Sequence, residues 1–281
     1  MSNLTWLSVT IPISFSKMGV TLSRLLKPGI LIVVGRDFYS SRITDRPQPR
    51  HKQVRAELTR ELGGEEVKGK DRIFTWFTQA RQARNGEGGK AVVCLMDGER
   101  ALWKKAGDYA VDAISILDIY HVLERLWSAA YCFYPEGSAE AATFVTDRLT
   151  RLLKGQVGRV IGGLKQMGSK QGLRGAKKKQ LAAAVTYLEN NRDYMRYDYY
   201  LDCGYPIGSG VVEGACRHLV KDRMEGTGMR WRTEGAQAML DLRAVYLNGE
   251  WADFQAYRVR QNGHTLYPYR ERVQEIWDIA A

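Results

Sequence analysis

Two short apolar runs, each closed by an aspartate, constrain this chain more than any other feature. Ala91-Val-Val-Cys-Leu-Met96 is followed by Asp97-Gly98, and Ala113-Ile-Ser-Ile-Leu117 by Asp118. Short uninterrupted apolar runs read as strands buried on both faces. The stretch 99–107 between them reads as a short helix, and a further helix opens directly after the second run, over 120–131. Strands joined by short helical links predict parallel pairing inside an α/β sheet.

Elsewhere the pattern is mostly helical. Residues 1–50 form a poorly defined N-terminal segment, in which Gly29-Ile-Leu-Ile-Val-Val34 reads as one buried strand. Arg46-Pro-Gln-Pro-Arg-His51 is a turn-rich basic linker. A charged helix is expected over 51–63 and another over 71–84, with Asp71 as N-cap and Ile73, Phe74, Phe77 and Ala80 on one face. From 136 to about 201 only helical periodicity is present, interrupted by a basic, glycine-containing stretch that ends in Lys177-Lys178-Lys179. Two helices, over 233–247 and 251–261, close the pattern. The expected organisation is a first part of the core over 51–130, a helical insertion over 131–205, and a returning acidic helix with C-terminal helices over 206–281.

The chain has 281 residues, a net charge of +11, 44% hydrophobic and 26% charged residues. That supports a real core, and the positive excess points to a polyanionic partner. No apolar run is long enough to span a bilayer, and the N-terminus reads poorly as a signal peptide. Cys94, Cys132, Cys203 and Cys216 form no CxxC pair, and the four histidines are not at metal-ligand spacing. Scattered single cysteines suit a reducing cytosol.

The chemistry centres on strand ends. Asp97 closes an apolar strand, where ligand groups gather in open α/β sheets, although Asp-Gly is also an ordinary turn. Asp118 can cap the helix that follows it, with His121 facing the same rim. In Tyr205-Pro-Ile-Gly-Ser-Gly-Val-Val-Glu213, a turn-forming run leads into a helical pattern with Glu213 at its start, followed by Arg217, Lys221 and Arg223. A carboxylate among cations suits a metal ion held against a phosphate backbone; it equally suits a helix-start acid with solvated basic residues behind it. Arg230 and Trp231 lie close in sequence. Trp231 can stack on an unpaired base or fill a core. Lys177, Lys178 and Lys179 form a second basic patch or a solvated helix start.

Several sequence words occur together: Cys94-Leu-Met-Asp-Gly-Glu-Arg-Ala-Leu-Trp103, Ile116-Leu-Asp-Ile-Tyr-His-Val-Leu-Glu-Arg-Leu-Trp127, Met195-Arg-Tyr-Asp198, the segment from Tyr205 to Gly228-Met-Arg-Trp231, and Gly235-Ala-Gln-Ala-Met-Leu-Asp-Leu-Arg243. In these words, from about Arg46 to the end, the chain resembles bacterial insertion-sequence transposases of the ISKra group. The resemblance implies an RNase H-like catalytic core of the DDE type with a helical insertion before the last acid. It implies Asp97 as the second acid and Glu213 as the final one, both metal ligands for Mg²⁺ or Mn²⁺. Asp118-x-x-His121 matches the Asp/Cys-x-x-His signature shared with Mutator-like transposases, which makes His121 a catalytic candidate. It also implies double-stranded DNA as the partner (element ends and target), and the cationic and aromatic residues Arg217, Lys221, Arg223, Arg230 and Trp231 near Glu213, with Lys177–Lys179 as a second patch, fit contact with it. A homodimer on DNA and a cytoplasmic, nucleoid-associated bacterial location complete the expectation.

The chain departs from that family at the first acid. The family carries an Asp, usually followed by Gly, on an early strand. Here only Asp37 and Asp45 precede residue 50, and neither has that context. A truncated or altered copy with reduced or no strand-transfer activity is therefore expected. The alternatives are a non-enzymatic DNA-binding remnant and an unrelated basic α/β nuclease.

Overall fold

The computed structural model describes residues 4–10, 31–39, 48–85, 91–209, 217–266 and 269. The chain is a mixed α/β protein, with helices packed around a five-stranded sheet. In chain order the elements are β1 (Leu4–Thr10), β2 (Leu31–Tyr39), β3 (Gln48–Glu57), β4 (Arg60–Leu62), β5 (Glu65–Val67), α1 (Gly69–Asn85), β6 (Ala91–Met96), α2 (Arg100–Tyr109), β7 (Ile114–Leu117) and α3 (Ile119–Ala130). Next come α4 (Ala139–Leu153), α5 (Val157–Lys170), α6 (Gly175–Asn190), a 3₁₀ turn (Arg192–Tyr194) and α7 (Tyr197–Asp202). After a π-helical turn (Arg217–Lys221) and a one-turn helix (Asp222–Met224), α8 (Thr233–Leu247) and α9 (Trp251–Leu266) follow.

The strand order is β3-β2-β1-β6-β7. The first three strands pair antiparallel, and β1–β6 and β6–β7 pair parallel. The parallel pairing expected from the two apolar runs is present. Alternation along β6 explains why its run is continuous. Val93 and Leu95 pack with α3 and the helical block, whereas Val92, Cys94 and Met96 pack with α1 and α2 on the opposite face. Both faces are covered, so no polar residue interrupts the strand.

The N-terminal segment expected to be poorly defined supplies β1, β2 and part of β3 to the sheet. The helix expected over 51–63 is not formed: β3 and the β4–β5 hairpin occupy that stretch. The deciding signal is a period of two, because Val54, Ala56 and Leu58 are buried against α8 while Arg55 and Glu57 face the α1 side. The charges that suggested a helix belong to the alternate face. As the edge strand, β3 has backbone groups that need partners, and α8 supplies them. Gln237 accepts from Leu58 N at 2.8 Å and donates to Ala56 O at 2.9 Å, and Asn248 accepts from Val54 N at 2.7 Å.

Asp71 lies within the first turn of α1 rather than capping it, and accepts from Lys105. Ile73, Phe74 and Phe77 are fully buried as expected. Residues 130–205 contain no strand, so the insertion is all-helical. Three tyrosines tie it to the sheet. The hydroxyls of Tyr187, Tyr197 and Tyr200 donate to the carbonyls of Asp97, Leu117 and Ser115 at 2.6, 2.9 and 3.3 Å. Each bond satisfies a backbone acceptor near a strand end that the sheet leaves open. Among the described residues, no helix is long and apolar enough to cross a membrane.

Candidate functional site

The site is built where β6 and β7 end side by side. Asp118 N donates to Met96 O at 2.8 Å, so the two strand-closing aspartates are neighbours. Gly98 makes the turn after Asp97 possible. Its φ is +91°, and a Cβ there would come within 2.9 Å of Leu117 Cδ1 and 3.0 Å of the Asn191 amide. Only glycine meets both demands without strain. The Asn191 amide is itself held, accepting from Trp103 Nε1 at 2.8 Å and donating to Tyr187 O at 2.9 Å. Trp103 stacks on Tyr194 with ring centroids 3.8 Å apart. The turn that presents Asp97 is therefore braced by the helical insertion.

Asp97 Oδ1 accepts from Glu99 N at 2.9 Å, while no hydrogen bond reaches Oδ2 among the described residues. Burial pushes the Asp97 carboxyl up to about 6. The Glu99 amide and the nearby His121 and Lys70 work against that rise, and the Glu99 charge adds to it. Glu99 accepts from Lys70 through Oε1, and its Oε2 is buried with no partner among the described residues.

Asp118 is fully occupied. It caps α3, Oδ1 accepting from Tyr120 N at 3.0 Å and from Ser209 N at 3.3 Å, and Oδ2 accepts from the Ser209 hydroxyl. Burial holds its carboxyl above the usual range, partly offset by the Ser209 and Tyr120 bonds and by His121. The capping reading of Asp118 holds. His121 lies within electrostatic reach of both aspartates and 3.5 Å from Glu124 Oε2 through Nδ1.

The chain returns from the insertion to this rim. Ile119 N donates to Ile207 O at 2.8 Å, and Gly208 is so close to α3 that a Cβ would meet Tyr120 at 2.9 Å. Ser209 then docks on Asp118. Sequence reasoning took this run for a turn and missed its role as the anchor of the return; the Pro-Ile-Gly-Ser word was the available signal.

Glu213 lies outside the described residues, as does the side chain of Arg217, so the Asp97–Glu213 approach falls there too. Lys177, Lys178 and Lys179 are exposed at the start of α6, and Arg223 and Arg230 are exposed. Lys221 is half-buried. Trp231 is half-buried against the core of β3 and α8, its indole N–H donating to Met224 O at 3.2 Å, which is a packing role. Asp37 is not brought near Asp97 by the strand register. It lies inside β2 opposite Thr5, which pairs with Val92 at the start of β6, and β1 separates the two strands. Asp97 is at the other end of the sheet. No group of three or more His, Cys, Asp or Glu side chains that could hold a metal ion occurs among the described residues.

A second charged group, missed from sequence, sits on the rim at the end of β3. Glu57 is 1% exposed and is bonded by Arg55 (2.6 and 3.0 Å), Arg60 (2.8 Å) and Arg72 (3.2 Å). Burial alone would raise its carboxyl, but the three guanidiniums win and hold it below the usual carboxylate range. No protein-family model, no curated protein and no solved structure matches this chain.

Proposed function

We propose that this protein is a DNA-binding protein of the transposase type, with an RNase H-like core and weak or absent strand-transfer chemistry. One observation carries the reading. The sheet has three antiparallel strands continued by two parallel ones, with a helical block inserted between β7 and the segment that returns to the strand ends. Asp97 contributes a half-buried carboxylate with one oxygen unengaged among the described residues. Ser209 brings the chain back to Asp118, whose N–H bonds the end of β6, and the four residues from Ser209 to Glu213 reach at most about 14 Å.

When bound, Mg²⁺ or Mn²⁺ at Asp97 and Glu213 would polarise a scissile phosphate. The described residues do not complete such a centre. The register places Ser8 opposite Leu95, so Thr10 is level with Asp97. Residues Leu4–Thr10 carry hydroxyls and no carboxylate. One acid short, two divalent ions are poorly neutralised and poorly placed. That observation favours a DNA-binding remnant over a competent recombinase. The +11 charge and the exposed Lys177–Lys179, Arg223 and Arg230 suit duplex DNA held with little sequence preference.

The test is Mg²⁺- or Mn²⁺-dependent nicking of duplex DNA, with Asp97→Asn and Glu213→Gln as controls, run beside a salt titration of binding. Steep salt dependence with no nicking is the expected result. Nicking abolished by both substitutions would make the site complete. A flat salt dependence would remove DNA as the partner.

A further inference from the structure

We propose that Arg55, Arg60 and Arg72, assembled on Glu57, form a preorganised cradle for the phosphate backbone of duplex DNA on the sheet rim that also carries Asp97. The proposal rests on the DNA-binding reading and names the surface that does the binding. Three guanidiniums share one carboxylate, so the group keeps a net charge of +2 (three minus one). Glu57 is buried, but the Arg55 and Arg72 side chains remain 33% and 39% exposed. Their guanidiniums are not used up by the pairing. Arg72 engages Glu57 through Nε alone, and Arg55 through Nε and Nη2. The remaining N–H groups have no acceptor among the described residues. Arg55 also lies over the Trp76 ring, its guanidinium carbon 5.9 Å from the ring centroid. A buried acid that pins several arginines while leaving their outer donors free costs little further ordering when a phosphate arrives. A planar fork is also the geometry a phosphate accepts best.

Position supports the assignment. β3 and β6 run in the same direction, and Glu57 ends β3 as Met96 ends β6. With strands about 4.8 Å apart and two strands between them, the two ends are separated by about 14 Å, or about four base pairs of duplex. The start of α1 bridges them, because Lys70 reaches Glu99 beside Asp97 while Arg72, two residues on, reaches Glu57. Gly69 lets α1 begin this close. A Cβ there would come within 2.5 Å of Glu57 O.

The experiment measures binding of a mixed-sequence duplex by fluorescence anisotropy across a salt series, for the full chain and for Arg72→Gln, Arg72→Lys and Arg55→Gln/Arg72→Gln. The log–log slope should fall by about one unit in Arg72→Gln and about two in the double variant, since each neutralised phosphate contributes roughly 0.9. Arg72→Lys should keep the slope and lose affinity through the missing fork. Arg72→Gln leaves Glu57 with two partners, so its reading stands even where the double variant unfolds. A Lys177→Gln/Lys178→Gln/Lys179→Gln variant monitors the other basic surface. Steep binding by the unaltered protein with an unchanged slope in Arg72→Gln would overturn the cradle and leave the DNA reading intact. No binding by the unaltered protein would overturn both.

Discussion

The ends of β6 and β7 carry the same residue in the same place, yet Asp97 and Asp118 do different things. Asp118 is buried and Asp97 half-buried, and both are held above the usual carboxylate range. Asp118 has every oxygen engaged, by the first turn of α3 and by Ser209, which comes from beyond the insertion. Asp97 has one oxygen on the Glu99 amide and the other unengaged among the described residues. What returns to a strand end decides whether both oxygens of its aspartate are engaged.

The comparison breaks most visibly at Asp118. Asp118→Ala removes a helix cap and leaves the buried Ser209 groups unpaired, and should cost about 3–4 kcal/mol in denaturant unfolding. Asp118→Asn keeps an acceptor for Tyr120 N and should cost less than half of that. Equal losses would mean that the charge, rather than the cap, matters.

At Asp97 the opposite sign is expected. Its folded carboxyl titrates at about 6, above its unfolded value near 3.9, so the folded state binds the extra proton between about pH 4 and 6. Stability from this group is therefore present at low pH and lost as pH rises through that window. Asp97→Asn should raise stability at pH 7 by about 1–2 kcal/mol and flatten the pH dependence between 4 and 6. A loss of stability at pH 7 would mean that the carboxylate holds structure, as in Asp118.

The smallest effect tests the brace behind the site. Tyr187→Phe removes the donor to Asp97 O and should cost about 1 kcal/mol. A larger cost would show that the insertion and the strand end unfold as one unit.

Much of this arrangement was legible in the residues. The β6 and β7 runs, their parallel pairing, the Asp118 cap and the helical pattern over 136–201 all follow from local periodicity and capping chemistry. β3 did not, because Arg55 and Glu57 made a two-residue alternation look like a charged helix face. The role of Ser209 and the Glu57 cluster were also hidden. Each joins residues far apart in the chain, or needs knowledge of which face α1 covers. Sequence alone determined where strands end in acids, because apolar runs and helix caps are short-range signals. Only the tertiary structure decided which acid is consumed, which arginines converge and that β1 brings no carboxylate level with Asp97. Those outcomes depend on register and on burial, which set the partner of every buried charge.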